Sequence, residues 1–259
     1  KVLVEDPDAI RSVHAAYFEA GADVAISASY QATFEGLAGR GIDRNQAAAL
    51  MRRSVELARE AAGSGRVVAA SVGPYGAMLG NGAEYTGDYD KDEDQLVEFH
   101  VPRIEALAEA EPDVLAVETI PSFVEARALV RALEKVPEIP AWVRFSCRDG
   151  RHICDGTPIG SAVEVVASAP GVVAVGVNCT SPLFVERLVE TISDTTGKHI
   201  VCYPNRGSFW DPMRKTWTDP PRQDARPPLR PLAWKEAGAS LIGGCCGTTP
   251  DDVAAAARA

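Results

Sequence analysis

The sequence of 259 residues predicts a parallel α/β protein, either a doubly wound sheet or a (β/α)8 barrel. Short β-branched runs alternate with amphipathic segments along the whole chain, which is typical of this architecture. Most of the runs are continuously apolar, such as Val172 to Val175, as expected for strands that are buried on both faces. The length is close to that of one barrel, so we expect residues 1–259 to form a single domain.

Seven segments are predicted to be strands, because each is a short β-branched run between amphipathic segments. In chain order they are Asp23 to Tyr30, Val67 to Gly73, Val114 to Thr119, Ala141 to Cys147, Val172 to Cys179, His199 to Asn205 and Ala239 to Cys246. Seven is one short of the eight strands of a closed barrel. Since Lys1 to Val4 leads into Pro7 and a helical run, we expect a first strand to precede Lys1.

The segments between these strands are predicted to be helices. Apolar residues recur on one face between Ala47 and Ala58, and again between Val124 and Leu133. Ser122 with Glu125 predicts a capping box at the start of one helix. Thr249, followed by a proline and two acids, predicts the start of another.

Two stretches do not fit the barrel scaffold. Gly73 to Tyr89 is rich in glycine and tyrosine and follows a strand, where barrel loops usually form the substrate mouth. Asp219 to Pro231 contains five prolines and is not expected to be helical. Only Pro231 to Ala237 can supply a helix before the last strand, so we interpret the proline-rich stretch as a lid or as a place where residues are missing.

Charge and composition argue against several kinds of partner. The formal net charge is −10, whereas a nucleic-acid-binding surface is normally basic. The chain is 46% hydrophobic and 24% charged, and none of its apolar runs is as long as a membrane span. Lys1 to Asp8 also lacks the apolar core of a signal peptide. We therefore expect a cytoplasmic protein without nucleic-acid or membrane partners.

The positions of the cysteines carry the main functional prediction. The six cysteines are too few for a disulfide framework, and the adjacent pair Cys245 and Cys246 seldom forms an unstrained bridge. Cys179 ends one predicted strand and the pair ends the last, so the three thiols would meet on one face of a barrel. Adjacent residues of a strand point to opposite faces, so both cysteines of the pair can reach one ion only if the backbone leaves strand geometry there. The flanking glycines permit this. Three thiolates suit zinc and leave a fourth position open for substrate.

Three other interpretations of these residues stay open. Buried cysteines also act as small apolar residues, and this is our interpretation of Cys147, Cys154 and Cys202. Gly243 and Gly244 are also typical of a phosphate-binding loop, as in a lyase or isomerase built on a barrel. A non-catalytic barrel with a structural zinc is the third interpretation. The four histidines have no HxH or HExxH spacing, so we do not expect them to bind the metal.

Several motifs resemble one known family, the homocysteine S-methyltransferases. They are VNCTSP at Cys179, GGCCGTTP at Cys245, VETIPS at Glu118 and GADVAISASYQAT near the start. SVGPYGAML, EYTGDY and KTWT resemble the bacterial members that use S-methylmethionine or S-adenosylmethionine as the methyl donor. The resemblance extends over nearly the whole chain and implies a (β/α)8 (TIM) barrel.

The resemblance also implies a reaction and a set of site residues. A methyl group would pass from a sulfonium donor to homocysteine and give methionine. The implied Zn²⁺ ligands are Cys179, Cys245 and Cys246. The implied substrate-binding residues are Glu118 for the amino group, with Ser29, Tyr30, Gln31 and Asn178, of which Asn178 would orient the loop of Cys179. The sequence departs from the family pattern in lacking the opening strand with its DGG aspartate and in having prolines where a helix precedes the last strand.

Overall fold

One parallel sheet of seven strands, in chain order, dominates the structure. The structure is a computed structural model that describes residues 2–207, 209–211, 214, 216–218 and 227–259. Its strands are β1 (Val24–Ile26), β2 (Val67–Val72), β3 (Val114–Ile120), β4 (Ala141–Phe145), β5 (Val172–Asn178), β6 (His199–Tyr203) and β9 (Leu241–Ile242). A separate antiparallel pair is formed by β7 (Phe209–Asp211) and β8 (Thr216–Thr218). All seven predicted strands are confirmed, most of them shorter than expected.

Helices connect the strands of the sheet. They are α1 (Val2–Glu5), α2 (Pro7–Glu19), α3 (Phe34–Ala38), α4 (Arg44–Ala62), α5 (Tyr75–Leu79), α6 (Glu93–Ala108), α7 (Phe123–Leu133), α8 (Ile159–Ala167), α9 (Pro182–Thr195), α10 (Pro231–Glu236) and α11 (Pro250–Ala257). α10 confirms the helix predicted before the last strand, whereas residues 219–226 of the proline-rich stretch lie outside the described residues. Among the helices described, none is both long and apolar enough to cross a membrane.

The two faces of the sheet belong to two different apolar layers. The outer layer joins strand residues such as Val68 with helix residues such as Leu129. The buried residues of the inner layer, such as Trp142, come from strands alone. This inner layer also includes Val24 of β1 and Leu241 of β9, the two edge strands of the sheet. Helices on one face and a curled sheet confirm the barrel architecture, whereas a doubly wound sheet has helices on both faces.

The two edge strands β1 and β9 face each other across a cavity of about 480 Å³. α2 and α11 line this cavity from outside, and the Tyr17 hydroxyl donates to the Thr248 carbonyl over 2.9 Å. The curl of the sheet therefore brings the beginning and the end of the described chain together. The expected additional strand concerns the chain before Lys1 and stays a prediction.

The helix starts agree with the sequence at both predicted sites, although the capping box predicted at one of them is incomplete. Thr249 and Asp252 form a complete capping box at α11. At α7, Ser122 accepts a bond from the Glu125 N–H over 3.2 Å, but the Glu125 side chain does not return the bond. Ser122 is therefore the N-cap of α7 as predicted, whereas the predicted return bond from Glu125 is absent because its carboxylate turns inward to donors from other elements.

Candidate metal centre

The three thiols that were predicted to bind a metal lie together beyond the carboxyl ends of β5 and β9. The Cys179 Sγ lies 3.4 Å from the Cys246 Sγ, and the Cys245 and Cys246 sulfurs are 3.9 Å apart. All three sulfur atoms lie within 4.8 Å of one another. Sulfurs that bind one tetrahedral zinc at about 2.3 Å are roughly 3.8 Å apart. The donor set and its spacing therefore fit a zinc ion.

The backbone leaves the extended conformation at both cysteine segments. Cys179 has a φ of 49°, in the left-handed region that non-glycine residues rarely adopt and that is frequent at functional sites. Gly247 has a φ of 78°, and a Cβ on Gly244 would lie 2.4 Å from the Thr248 Oγ1. The glycines around the cysteine pair thus permit the turn that lets both thiols reach one point, as the sequence predicted.

β6 fixes the distance between the two cysteine segments. The Cys179 N–H donates to the Tyr203 carbonyl over 3.1 Å, and the Cys245 N–H donates to the Pro204 carbonyl over 2.8 Å. The Arg206 N–H in turn donates to the Cys246 carbonyl over 2.8 Å. Backbone hydrogen bonds at the end of one strand therefore bring the three thiols together.

The close thiols affect one another's ionisation. Hydrogen bonds from Cys179 and Cys245 lower the pKa of Cys246 to about 4. The hydrogen bonds with Cys245 and Cys246, together with burial, raise the pKa of Cys179 well above its usual range. One thiolate is thus stabilised at the expense of the others. A bound cation would allow all three sulfurs to ionise together.

The loop from Gly73 to Tyr89 lies over the thiols and is more regular than the sequence indicated. It contains α5 and a turn of 3-10 helix, Ala83–Tyr85. The Tyr85 hydroxyl lies 3.2 Å from the Cys179 Sγ. Burial raises the pKa of Tyr85 above its usual range, so its hydroxyl keeps a proton to donate to the sulfur. Tyr85 belongs to the tyrosine-rich loop that the sequence placed at the substrate mouth.

A buried carboxylate, Glu125, anchors this loop. It accepts a bond from the Tyr75 N–H over 2.6 Å and another from the Tyr89 hydroxyl. The Nε2 of His100 lies 2.9 Å from the same carboxylate, and both side chains are fully buried. Burial lowers the pKa of His100, which favours a neutral ring that donates through Nε2. Because Tyr75 and Tyr89 flank Tyr85 in the chain, Glu125 fixes the segment that contacts the thiols.

Glu118, which the sequence predicts to bind the substrate amino group, is buried inside the barrel and has three donors. Ser71 donates to its Oε1, and the Tyr203 hydroxyl donates to its Oε2 over 2.8 Å. The Arg144 Nη2 lies 3.3 Å from the same Oε2. A carboxylate accepts about four hydrogen bonds, so one acceptor position remains. Burial raises the pKa of Glu118, and the charge of Arg144 opposes this shift.

Arg144 of β4 is a site residue that the sequence prediction did not include. Its guanidinium carbon lies 3.8 Å from the centre of the Tyr203 ring and 4.9 Å from the Trp142 ring. Burial lowers the pKa of Arg144 to about 9. Its Nε and Nη1 have no hydrogen-bond partner among the residues that the structure describes. The signal in the sequence is a single basic residue inside the apolar run AWVRF.

Asn178 connects the ends of β3 and β5. Its Oδ1 accepts from the Thr119 N–H over 2.7 Å, and its Nδ2 donates to the Thr119 Oγ1 over 2.8 Å. Thr119 follows Glu118, and Asn178 precedes Cys179. This pair of bonds therefore fixes the position of the predicted amine-binding acid relative to the first cysteine.

The segment after β1 supplies the other predicted pocket residues. The buried Ser29 hydroxyl donates to the Ser71 carbonyl over 2.8 Å. Burial raises the pKa of Tyr30 well above its usual range, and the nearby Thr119 side chain opposes this shift. Gln31 is exposed. Ser29 and Tyr30 thus lie beside the ends of β2 and β3, whereas Gln31 lies at the surface.

The remaining cysteines lie outside this cluster. Cys147 and Cys202 are buried in the outer apolar layer. The Cys154 thiol donates to the Ser146 Oγ over 3.4 Å. These surroundings support their interpretation as packing residues.

These features define a class of protein, an α/β barrel with a three-thiol candidate metal centre at the carboxyl ends of its strands. The family model of the homocysteine S-methyltransferases matches residues 1–259. The homocysteine S-methyltransferase YbgG of Bacillus subtilis is 44% identical, over 98% of this chain and 84% of its own length. The homocysteine S-methyltransferase of Escherichia coli is 46% identical, over 98% of this chain and 85% of its own.

A solved structure has the same fold. The metallated form of the homocysteine methyltransferase MmuM from Escherichia coli matches with a TM-score of 0.86 and 44% identity, and the match covers 100% of this chain and 86% of that one. The chain belongs to the homocysteine S-methyltransferase family, as its motifs indicated. It is an enzyme of the methyltransferase class.

Proposed function

We propose that this enzyme transfers a methyl group from a sulfonium donor to homocysteine and uses a zinc ion held by Cys179, Cys245 and Cys246. The observation that carries the proposal is the convergence of three thiols at the mouth of the barrel. Three protein ligands would hold a zinc ion and would leave it able to bind the sulfur of the substrate as well. Membership of the family supports both the substrate and the reaction.

Zinc at this site would supply Lewis acidity, which lowers the pKa of a thiol so that it reacts as the thiolate at neutral pH. The three cysteine thiolates exceed the charge of the ion by one, which keeps the substrate sulfur electron-rich. The sulfur lone pair forms a bond to the donor methyl carbon, while the bond from this carbon to the donor sulfur breaks. The donor leaves as a neutral thioether, so the enzyme needs no general acid.

We infer that Glu118 holds the ammonium group of homocysteine. Its remaining acceptor position suits one N–H donor, and Arg144 favours its ionised form. Ser71 and Tyr203 hold the carboxylate in place from both sides. The hydrogen bond from the Thr119 N–H to the Asn178 Oδ1 fixes the position of this acid relative to the metal centre.

Two alternatives have less support. A phosphate-binding lyase or isomerase needs anion-binding groups, whereas the centre at the glycine loop consists of three thiols. A structural zinc normally has four protein ligands, whereas the described cluster has three.

The test is methyl transfer by the zinc-loaded protein. The protein is incubated with homocysteine and with either S-methylmethionine or S-adenosylmethionine, and methionine formation is followed. We expect transfer that requires homocysteine, stops after metal removal and returns with zinc. Absence of transfer from both donors, or full activity of protein shown to be metal-free, would contradict the proposal.

A further inference from the structure

Glu84 is a buried carboxylate without a hydrogen-bond partner for one of its oxygens. The residue lies on the 3-10 turn Ala83–Tyr85 and is only 8% exposed. Its Oε2 has no hydrogen-bond partner in the part of the chain that the structure describes. The other buried acids differ, because Glu118 and Glu125 each have several donors. Burial raises the pKa of Glu84, and a buried carboxylate is unfavourable unless a cation or donors compensate it.

The two fully buried arginines near the mouth have other partners. The Arg103 Nη1 donates to the Gly73 carbonyl over 2.8 Å, and its Nη2 donates to the Tyr30 carbonyl over 3.2 Å. Arg144 pairs with Glu118. Glu84 is therefore buried without either of these arginines as its partner, because Arg103 binds backbone carbonyls and Arg144 binds Glu118.

Glu84 lies at the reacting end of the barrel. The next residue, Tyr85, contacts the Cys179 Sγ over 3.2 Å. The Glu84 carbonyl accepts a bond from the Ser146 Oγ over 2.9 Å, which fixes the turn to the segment after β4. Burial raises the pKa of Tyr30, and the charges of Cys179, Glu84 and Glu118 all raise it further. The turn that carries Glu84 therefore lies between a metal-binding thiol and the segment after β4.

We propose that Glu84 is the counter-charge for the sulfonium group of the methyl donor. The proposal rests on the proposed function, which requires a cation close to the thiols. The positive charge that reacts is the donor sulfonium, which must lie beside the thiols. Among the buried acids of the described residues only Glu84 has an oxygen without a hydrogen-bond partner, whereas Glu118 serves the ammonium of homocysteine and Glu125 anchors the loop. A donor sulfonium beside Glu84 would compensate the carboxylate oxygen, Oε2, that has no hydrogen-bond partner among the described residues.

Charge changes during the reaction give this role a kinetic signature. The positive charge on the donor sulfur decreases in the transition state and is absent from the thioether product. Glu84 therefore stabilises the bound donor more than the transition state. Loss of its charge should raise the KM for the donor without lowering kcat. A purely structural role would lower kcat or the zinc content as well.

The experiment measures donor binding directly, without the methyl acceptor. Calorimetry compares S-methylmethionine with methionine, its neutral thioether counterpart, on the zinc-loaded protein. Glu84→Gln should weaken S-methylmethionine binding about tenfold to a hundredfold and leave methionine binding unchanged. Asp88→Asn is the matched control, because it removes the same charge from an exposed position of the same loop. It should change neither affinity.

The pair of S-adenosylmethionine and S-adenosylhomocysteine repeats the comparison for the other sulfonium donor. Glu84→Asp keeps the charge and should keep the preference for sulfonium over thioether, which also provides a test if the glutamine variant folds poorly. The proposal would be overturned if Glu84→Gln weakened the binding of the sulfonium and of the thioether equally, or left the affinity for the sulfonium unchanged. It would also be overturned if Glu84→Asp lost the preference for the sulfonium. If the wild-type protein transfers methyl groups while any of these results holds, only the role of Glu84 fails. If it transfers none, the proposed function fails.

Discussion

Buried charged side chains at the mouth depend on residues of opposite charge and on hydrogen-bonding groups around them. Glu118 illustrates this, because Arg144 and two hydroxyl groups hold it in place and favour its ionised form. A buried charged or polar group without a partner destabilises the fold more than the same group would at the surface.

Glu118→Gln should raise the KM for homocysteine by about one to two orders of magnitude, because a neutral amide loses a charge-assisted contact of roughly 1.5–3 kcal/mol with the ammonium group. Steady-state kinetics with homocysteine measures this. Simple thiols without an amine serve as control substrates and should be unaffected, and zinc content should be unchanged. Loss of zinc would instead place Glu118 among the metal ligands, and normal homocysteine binding would leave it a purely structural role.

Arg144→Met should shift the pH dependence of homocysteine binding. The charge of Arg144 lowers the pKa of Glu118 against the effect of burial, so its removal raises that pKa further. Below its pKa the carboxyl group is protonated and cannot pair with an ammonium group. The KM for homocysteine should therefore begin to rise at a higher pH in the variant as the solution is acidified. Identical profiles of KM against pH in the two proteins would exclude this role for Arg144.

At the scale of single elements, the loop from Gly73 to Tyr89 depends on a buried anchor. Glu125 binds it near both ends, through the Tyr75 N–H and the Tyr89 hydroxyl. Between these two points lies Tyr85, which contacts the Cys179 thiol. The loop should consequently open as a unit when either attachment is lost.

Tyr89→Phe should loosen this loop, because it removes a charge-assisted hydrogen bond to Glu125. We expect amide hydrogen exchange in residues 74–88 to become about tenfold to a hundredfold faster, as measured by mass spectrometry. Tyr75→Phe is the matched control, since it keeps the backbone bond to Glu125 and the ring contacts with Tyr89 and Phe99. Equal exchange rates in the wild-type protein and Tyr89→Phe would show that the anchor does not restrain the loop.

The same elements show what the sequence can and cannot predict. Strands such as Val172–Asn178 were predictable because an uninterrupted apolar run fits a strand that is buried on both faces. The hydrogen-bond partners of Glu125 were not predictable, because they lie 25 to 50 positions away in the chain. The local spacing indicated a capping box instead. Arg144 and Glu84 were missed for the same reason. Their importance arises from burial and from the presence or lack of a partner, which only the folded chain defines.

At the scale of the whole molecule, the curl of the sheet creates the site. Cys179 follows β5 and the cysteine pair follows β9, the two strands on either side of β6, and the motifs alone place the cysteines at strand ends. The sequence could therefore predict that the thiols face the same side of a barrel. Their distances additionally depend on the left-handed backbone at Cys179 and on the bonds to the end of β6, which no motif reveals.

The central claim is that one zinc ion per chain is bound by these three cysteines, and metal analysis of single serine variants tests it most directly. Purified wild-type protein should contain one zinc per chain, and so should the control Cys154→Ser, whose thiol lies outside the cluster. Cys179→Ser, Cys245→Ser and Cys246→Ser should each lose most of the metal while remaining folded by circular dichroism. Stoichiometric zinc in both Cys245→Ser and Cys246→Ser would contradict the account.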